Sequence, residues 1–480
     1  MTITKTSVFV ILLILAGCSL KSSPPTALRS ITVLYTNDEH GWMEGMDADR
    51  GAASLLRQWQ EQEGYYGKAE DFLLLSGGDN WTGPAISTWS QGQSMVEVMN
   101  TMGYDASAVG NHEFDFGLDV LRQRTSEADF PYLSANTLWR HSGEVATDLG
   151  LLPFTVSEIN DLQVGIIGLT TRDTPVSTNP LTVAGLRFQD YEAALRRTLP
   201  EIREEELDLL FVISHVCIDE LEALIHRVED LAIDLFGAGH CNELEARQIG
   251  ESMLIGGGYH FTAYAWARFS YDIEREILVN SSSGVNDHEP GPGNARVAGL
   301  VDSWRQQIAA DLDRVIAYSA RAEPRSEGRL GRAIAESWLW SDPGADVAIT
   351  NAGGIRIDLQ AGPITLGTVV AMMPFDNTIV ALNLDAAAIA NVLESGSRPV
   401  VAGLERRQGQ WYLSRTGQPL SQDRHYRVLV NSFMYAGGDN YQSLANADPD
   451  AVDTGIHYRQ PFQDWLQQLH TSAADPLLLQ

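Results

Sequence analysis

One pattern constrains this chain more than any other: short apolar runs that end in groups able to hold a cation. Ile31–Tyr35 leads into Asp38 and His40. Phe72–Leu75 leads through two glycines to Asp79. Ala106–Val109 leads to Asn111 and His112, Leu209–Ile213 to His215, and Ala232–Phe236 to His240 and Asn242. Runs this short and apolar predict buried strands. Gly51–Gln60, Ser94–Asn100, Leu118–Glu127, Tyr191–Glu205 and Glu220–Asp230 carry helical spacing between them. Strands alternating with helices predict an α/β domain. Val164–Leu169 is a further strand, and the alternating Ala263–Tyr271 closes the domain.

The 480 residues exceed one ordinary core, so more than one domain is expected. Ser281–Asn294 is rich in Ser, Gly, Pro and Asp and reads as an interdomain loop. Val297–Ala317 reads as a helix joining the halves. Val347–Thr350, Ile364–Met373, Thr378–Leu384 and Tyr426–Asn431 mark a second α/β unit from about Ala320 onward.

The N-terminus reads as an export signal. Val8–Ala16 is an apolar core behind Lys5, too short for a comfortable membrane span. Leu15-Ala16-Gly17-Cys18 resembles a bacterial lipoprotein cleavage box. The expectation is a signal peptide over 1–17 and a lipidated tether over 18–29, with membrane attachment through Cys18. Ser19 resembles an outer-membrane sorting residue, which places the chain on the periplasmic or outer face. A net charge of −30, with Lys only at positions 5, 21 and 68, argues against nucleic acid as a partner. Cys217 and Cys241 each lie within two residues of a candidate ligand. They are expected as buried small hydrophobes, a disulfide being the alternative.

Ligands of open α/β sheets gather beyond the carboxyl ends of the strands. The donors Asp38, His40, Asp79, Asn111, His215, His240 and Asn242 should therefore meet. They exceed the protein ligands of one ion and fit two ions that share a carboxylate. Oxygen and imidazole donors suit Zn, Mn or Fe. In Gly110-Asn111-His112-Glu113-Phe114-Asp115, His112 can protonate a leaving group and Asp115 can orient it. That combination fits phosphoester hydrolysis.

These strings resemble a known family. Asn37-Asp38-Glu39-His40-Gly41, Gly77-Gly78-Asp79, Gly110 to Asp115 and Gly239-His240-Cys241-Asn242 are similar to those of the 5'-nucleotidases, which are calcineurin-like metallophosphoesterases. The resemblance spans nearly the whole mature chain. It implies an N-terminal four-layer α/β/β/α metallophosphoesterase domain over 30–280 and a linker and hinge helix over 281–319. A C-terminal α/β nucleotide-binding domain would follow over 320–480. It implies Asp38, His40, Asp79 and Asn242 on one divalent ion, and Asp79, Asn111, His215 and His240 on the other. His112 would be the general acid or transition-state stabiliser, oriented by Asp115.

The second half supplies the expected nucleotide contacts. Asn351-Ala352-Gly353-Gly354-Ile355-Arg356 permits close approach to a ligand, and Arg356 suits bidentate phosphate binding. Phe375 and Phe433 stand beside turns and offer two faces to a base. The resemblance implies Arg356 on phosphate, Phe375 and Phe433 on the base, and Asp439 on ribose hydroxyls. It puts Asn351 and Asn377 near the nucleoside. Arg321 and Arg325 match phosphate contacts only across a one-residue gap. The implied activity is release of phosphate from nucleoside 5'-monophosphates and other 5'-nucleotides. The alternatives on this fold are hydrolysis of UDP-sugars or other nucleoside diphosphate derivatives, hydrolysis of 2',3'-cyclic nucleotides, and thiosulfohydrolysis. The alternative of another class is a non-hydrolytic nucleotide-binding lipoprotein.

Overall fold

The computed structural model describes residues 27–47, 49–67, 71–395 and 397–479. The signal peptide and Cys18 lie outside the described residues. The expected tether ends earlier than its bound of 29, because the first strand is Leu28–Thr36.

Two sheets build the first domain. One has seven strands, in the order Ile277–Asp287, Ala263–Asp272, Leu28–Thr36, Phe72–Ser76, Ala106–Ala108, Tyr132–Leu133 and Leu151–Leu152. The other has six, in the order Leu244–Ile249, Ser252–Gly257, Leu235–Gly237, Leu209–His215, Leu162–Thr170 and Phe154–Ile159. Strand periodicity sorts the side chains by layer. Ile31, Val33 and Tyr35 meet Val164, Ile166, Phe211 and Ile213 between the sheets. Leu34 and Leu74 face the helices Ala52–Gln58 and Gln93–Met102. Leu210 and Val212 face Tyr191–Ile202 and Ile218–Arg227. The layers are thus α/β/β/α. Leu28–Thr36, Phe72–Ser76 and Ala106–Ala108 run parallel, as do Leu162–Thr170, Leu209–His215 and Leu235–Gly237. Their carboxyl ends therefore open at one place.

Two expected boundaries shift. Ser281–Asp287 is not loop, because it continues the strand that starts at Ile277 and pairs antiparallel with Ala263–Phe269. It is the edge of its sheet and faces water over much of its length, so its Ser and Asn content hides the strand pattern. The connecting helix is Ala295–Leu312, capped by the Asn294 side chain, and does not reach Ala317. Val315–Ser319 is a strand that pairs with Gly362–Thr365, so the second domain starts ahead of Ala320. Val297, Val301, Ile308 and Leu312 join the core beneath the first sheet. Trp304 Nε1 donates to Glu97 at 2.9 Å. The helix is therefore built into the first domain, and Val370 and Leu366 of the second domain pack against the same core.

The second domain has a five-stranded sheet, in the order Pro399–Ala402, Val347–Asn351, His425–Asn431, Thr378–Asp385 and Val452–His457. Arg329–Ser341 and Gln460–Gln468 cover one face through Trp338 and Phe462, and Ala386–Ser395 covers the other through Ile389 and Val392. Among the described residues no helix is long and apolar enough to cross a membrane.

Candidate active site

The five donor-bearing strand ends converge. Asp79 stands at their centre, 2% exposed. Its Oδ1 accepts from the His112 backbone N–H at 2.8 Å. That fixes the carboxylate so that Oδ2 lies 2.9 Å from His215 Nε2 and 3.7 Å from His40 Nε2. One oxygen therefore faces both clusters, as a bridging ligand must. Gly110 makes this approach possible, since a Cβ there would stand 2.1 Å from Asp79 Oδ1.

Backbone carbonyls set the imidazoles. His40 Nδ1–H donates to Thr82 O at 2.9 Å, and His215 Nδ1–H donates to Gly77 O at 2.8 Å. Both Nε2 atoms are left to point at Asp79, the arrangement typical of metal-ligating histidines. His240 Nδ1 lies 3.3 Å from His215 Nε2. His40, Asp79 and His112 bring donor atoms within 4.8 Å of one another, and Asp79, His215 and His240 do the same. Asn111 Oδ1 is buried with no hydrogen-bond partner among the described residues. A carboxylate, facing ring nitrogens and an unpaired amide oxygen at one point fit shared cations. The electrostatics agree. Burial pushes Asp38 up to about 6. Burial would lower His215, but Asp79 outweighs it and raises the imidazole to about 10.

Backbone strain marks the same residues. Asp38, His40, Asp79, His240 and Asn242 all have positive φ, between 45° and 73°. The left-handed region costs a non-glycine residue about 1–2 kcal/mol. Such strain persists where the surrounding structure over-determines it, commonly at functional sites.

His112 and Asp115 form the expected pair. His112 Nδ1–H donates to Asp115 Oδ2 at 2.7 Å, and Asp115 Oδ1 accepts from Thr178 at 2.8 Å. Burial lowers the His112 pKa, but Asp115 and Asp79 outweigh it, so the imidazole is held above its usual value.

The second domain closes over this cluster. A cavity of about 280 Å³ is lined from below by Asp38, His40, Asp79, Asn111, His112, Asp115, His240 and Asn242. Asn351, Arg356, Phe375, Asn377, Phe433 and Asp439 line it from above. Phe375 stacks on His112 with ring centroids 5.6 Å apart, and the Arg356 guanidinium lies 5.7 Å from the Phe375 centroid. Asn351 Nδ2 donates to Asp439 at 2.7 Å. The Phe433 ring passes over Gly438, where a Cβ would meet it at 2.3 Å. His215 sits beneath the cavity floor, fully buried.

Two predicted arginines go elsewhere. Arg325 lines a neighbouring cavity of about 890 Å³, with Trp42, His260, Arg356 and Arg398. Arg321 reaches neither cavity: its Nε donates to Glu323 at 2.7 Å and another guanidinium nitrogen to Leu479 O at 3.0 Å. The buried Glu323 carboxylate claims it. The cysteines also depart from expectation, because Cys217 and Cys241 are joined in a disulfide.

Sequence reasoning passed over the residues that hold the ligand loops. Glu113 accepts from the backbone N–H groups of Asp79, Asn80 and Gly110. Glu39 accepts from Thr36, Ser76 and Asn80. Burial pushes Glu113 up to about 8 and Glu39 up to about 7. Their signal was their place inside the two donor strings. His260, stacked on Trp42 at 4.9 Å, and Thr178 carried no such signal.

The comparisons agree with this geometry. The profile of the family "5'-nucleotidase, C-terminal domain" matches residues 308–446. A 5'-nucleotidase of Vibrio vulnificus is 27% identical over 95% of this chain and 94% of its own. A snake venom 5'-nucleotidase of Crotalus adamanteus is 26% identical over 86% of this chain and 82% of its own. The crystal structure of a 5'-nucleotidase precursor from Thermus thermophilus superposes with a TM-score of 0.77 at 24% identity, over 92% of this chain and 97% of that one. In its donor strings, its fold and these relatives, the chain resembles the 5'-nucleotidases, and its residues 308–446 match their C-terminal domain family.

Proposed function

We propose that this chain is an exported, lipid-anchored enzyme that releases phosphate from nucleoside 5'-monophosphates. One observation carries the reading: the His112–Asp115 pair and the ligand cluster share a cavity with Arg356, Phe375 and Phe433 of the other domain. Asp38, His40, Asp79 and Asn242 would hold one divalent ion, and Asp79, Asn111, His215 and His240 the other. When bound, such ions supply an activated water and neutralise charge on the phosphoryl oxygens. Arg356, half-buried and cationic, would grip the phosphate. His112 is oriented by Asp115 so that Nε2 faces the cavity, and it would donate the proton that the nucleoside oxygen needs to leave. Phe433 and Phe375 would hold the base, and Asp439, steadied by Asn351, the ribose. Phe375 stacks on His112, so a nucleotide has to displace it; a swing of the second domain would do so and then carry the substrate back to the ligands. Export and the Cys18 anchor rest on the N-terminal sequence.

A second reading rests on the adjoining cavity. Among the described residues, Arg325, Arg356 and Arg398 line it and no carboxylate does. That suits a substrate whose phosphate carries a further anionic group, such as a nucleoside diphosphate derivative. A panel of AMP, ADP, ATP, UDP-glucose and 2',3'-cyclic AMP separates the readings. Phosphate release should be greatest from AMP, vanish on chelation and return with divalent metal. UDP-glucose cleavage well above AMP cleavage would favour the second reading.

A further inference from the structure

The Cys217–Cys241 disulfide joins the two segments that carry the facing imidazoles. Cys217 stands two residues after His215, and Cys241 one residue after His240. Residues 241–244 are exposed, so burial does little to fix them. The other ties between these segments include Gly239 N–H to Val216 O at 3.0 Å and Ile218 N–H to the Glu243 carboxylate at 2.9 Å. Yet this loop holds His240 at φ 73° and Asn242 at φ 59°, conformations from which an open loop would relax. It also holds His240 Nδ1 facing His215 Nε2 at 3.3 Å. A covalent link fixes what hydrogen bonds alone would leave loose.

We propose that the Cys217–Cys241 disulfide is a positioning clasp for the cation held by His215 and His240, so that breaking it weakens retention of that ion while the fold survives. This rests on the metal reading of the donors given above. The bond is reached from the exposed Cys241 side. A phosphine can attack one sulfur and break the S–S bond; water then supplies the oxygen of the phosphine oxide and the protons of two thiols.

The test compares the full-length chain with its Cys217→Ser/Cys241→Ser double variant. Manganese is titrated into each metal-stripped protein by calorimetry, and retained metal is counted after gel filtration. The wild type should take up two ions. The variant should keep one and bind the other about 10–100-fold more weakly, as losing a ligand-orienting contact does. Excess manganese should restore kcat for AMP with KM unchanged, which a general loss of stability would not produce. If the variant fails to fold, folded wild type is reduced with phosphine, its thiols are counted and its metal is measured; loss of one ion is expected. Two ions at wild-type affinity in the variant or the reduced chain would overturn the clasp alone. A wild type that takes up no divalent ion would overturn the metal reading and the clasp with it.

Discussion

Asp79 is the residue on which the site turns. One carboxylate oxygen is fixed by the His112 backbone and the other faces both donor clusters. Asp79→Ala should therefore lower the content of both metals and abolish phosphate release; near-normal metal stoichiometry would refute the bridging role. His112 differs, because its Nδ1 is already committed to Asp115. His112→Ala should keep its metals and lose about 10²–10⁴-fold in rate on AMP. Loss of metal instead would make His112 a ligand. Phe433 packs partly against the second core as well as lining the cavity. Losing a stacking face worth about 1–3 kcal/mol predicts that Phe433→Ala lowers kcat/KM for AMP by about 5- to 150-fold, mainly through KM. A small aryl phosphate should be spared, and equal loss on both substrates would mark Phe433 as core.

At the level of elements, the donor-bearing strands were legible because each is an apolar run closed by a polar end. The distances among their ends were not legible, since the sheet order brings together residues as far apart as Asp38 and His240. The edge strand Ile277–Asp287 was hidden because one-sided contact with water permits Ser, Asn and Gly along it. Arg321 looked like a phosphate contact because spacing says nothing of a buried Glu323 two residues away. The disulfide was undecided because thiol spacing carries no geometry. The connecting helix read correctly as a helix, but its stretch ran on into a strand of the next domain, and its apolar stripe packs into the first domain's core, which Val370 of the second domain also joins. Ile308 shows this: it is nearly buried against that core. Ile308→Ala should destabilise the first domain by about 2–5 kcal/mol in urea unfolding. An unchanged midpoint would contradict the assignment. Any swing of the second domain then pivots beyond Leu312, at Asp313 and Arg314, where the helix has ended and the next strand has not begun.

At the level of the whole molecule, an acidic chain gathers buried carboxylates and imidazoles at the mouth of one domain and lowers an arginine and two aromatic rings onto them from the other. A ligand that binds only the folded state stabilises it, by about 2.7 kcal/mol at a hundredfold excess over Kd. Divalent metal should accordingly raise the melting temperature, and chelation should lower it. The central claim, that the two domains together make a metal-dependent nucleotide phosphatase, is tested most directly by titrating divalent metal into the stripped chain while phosphate release from AMP is followed. The account predicts no release in chelator and full activity near two ions per chain. Two bound ions with AMP left untouched would contradict it.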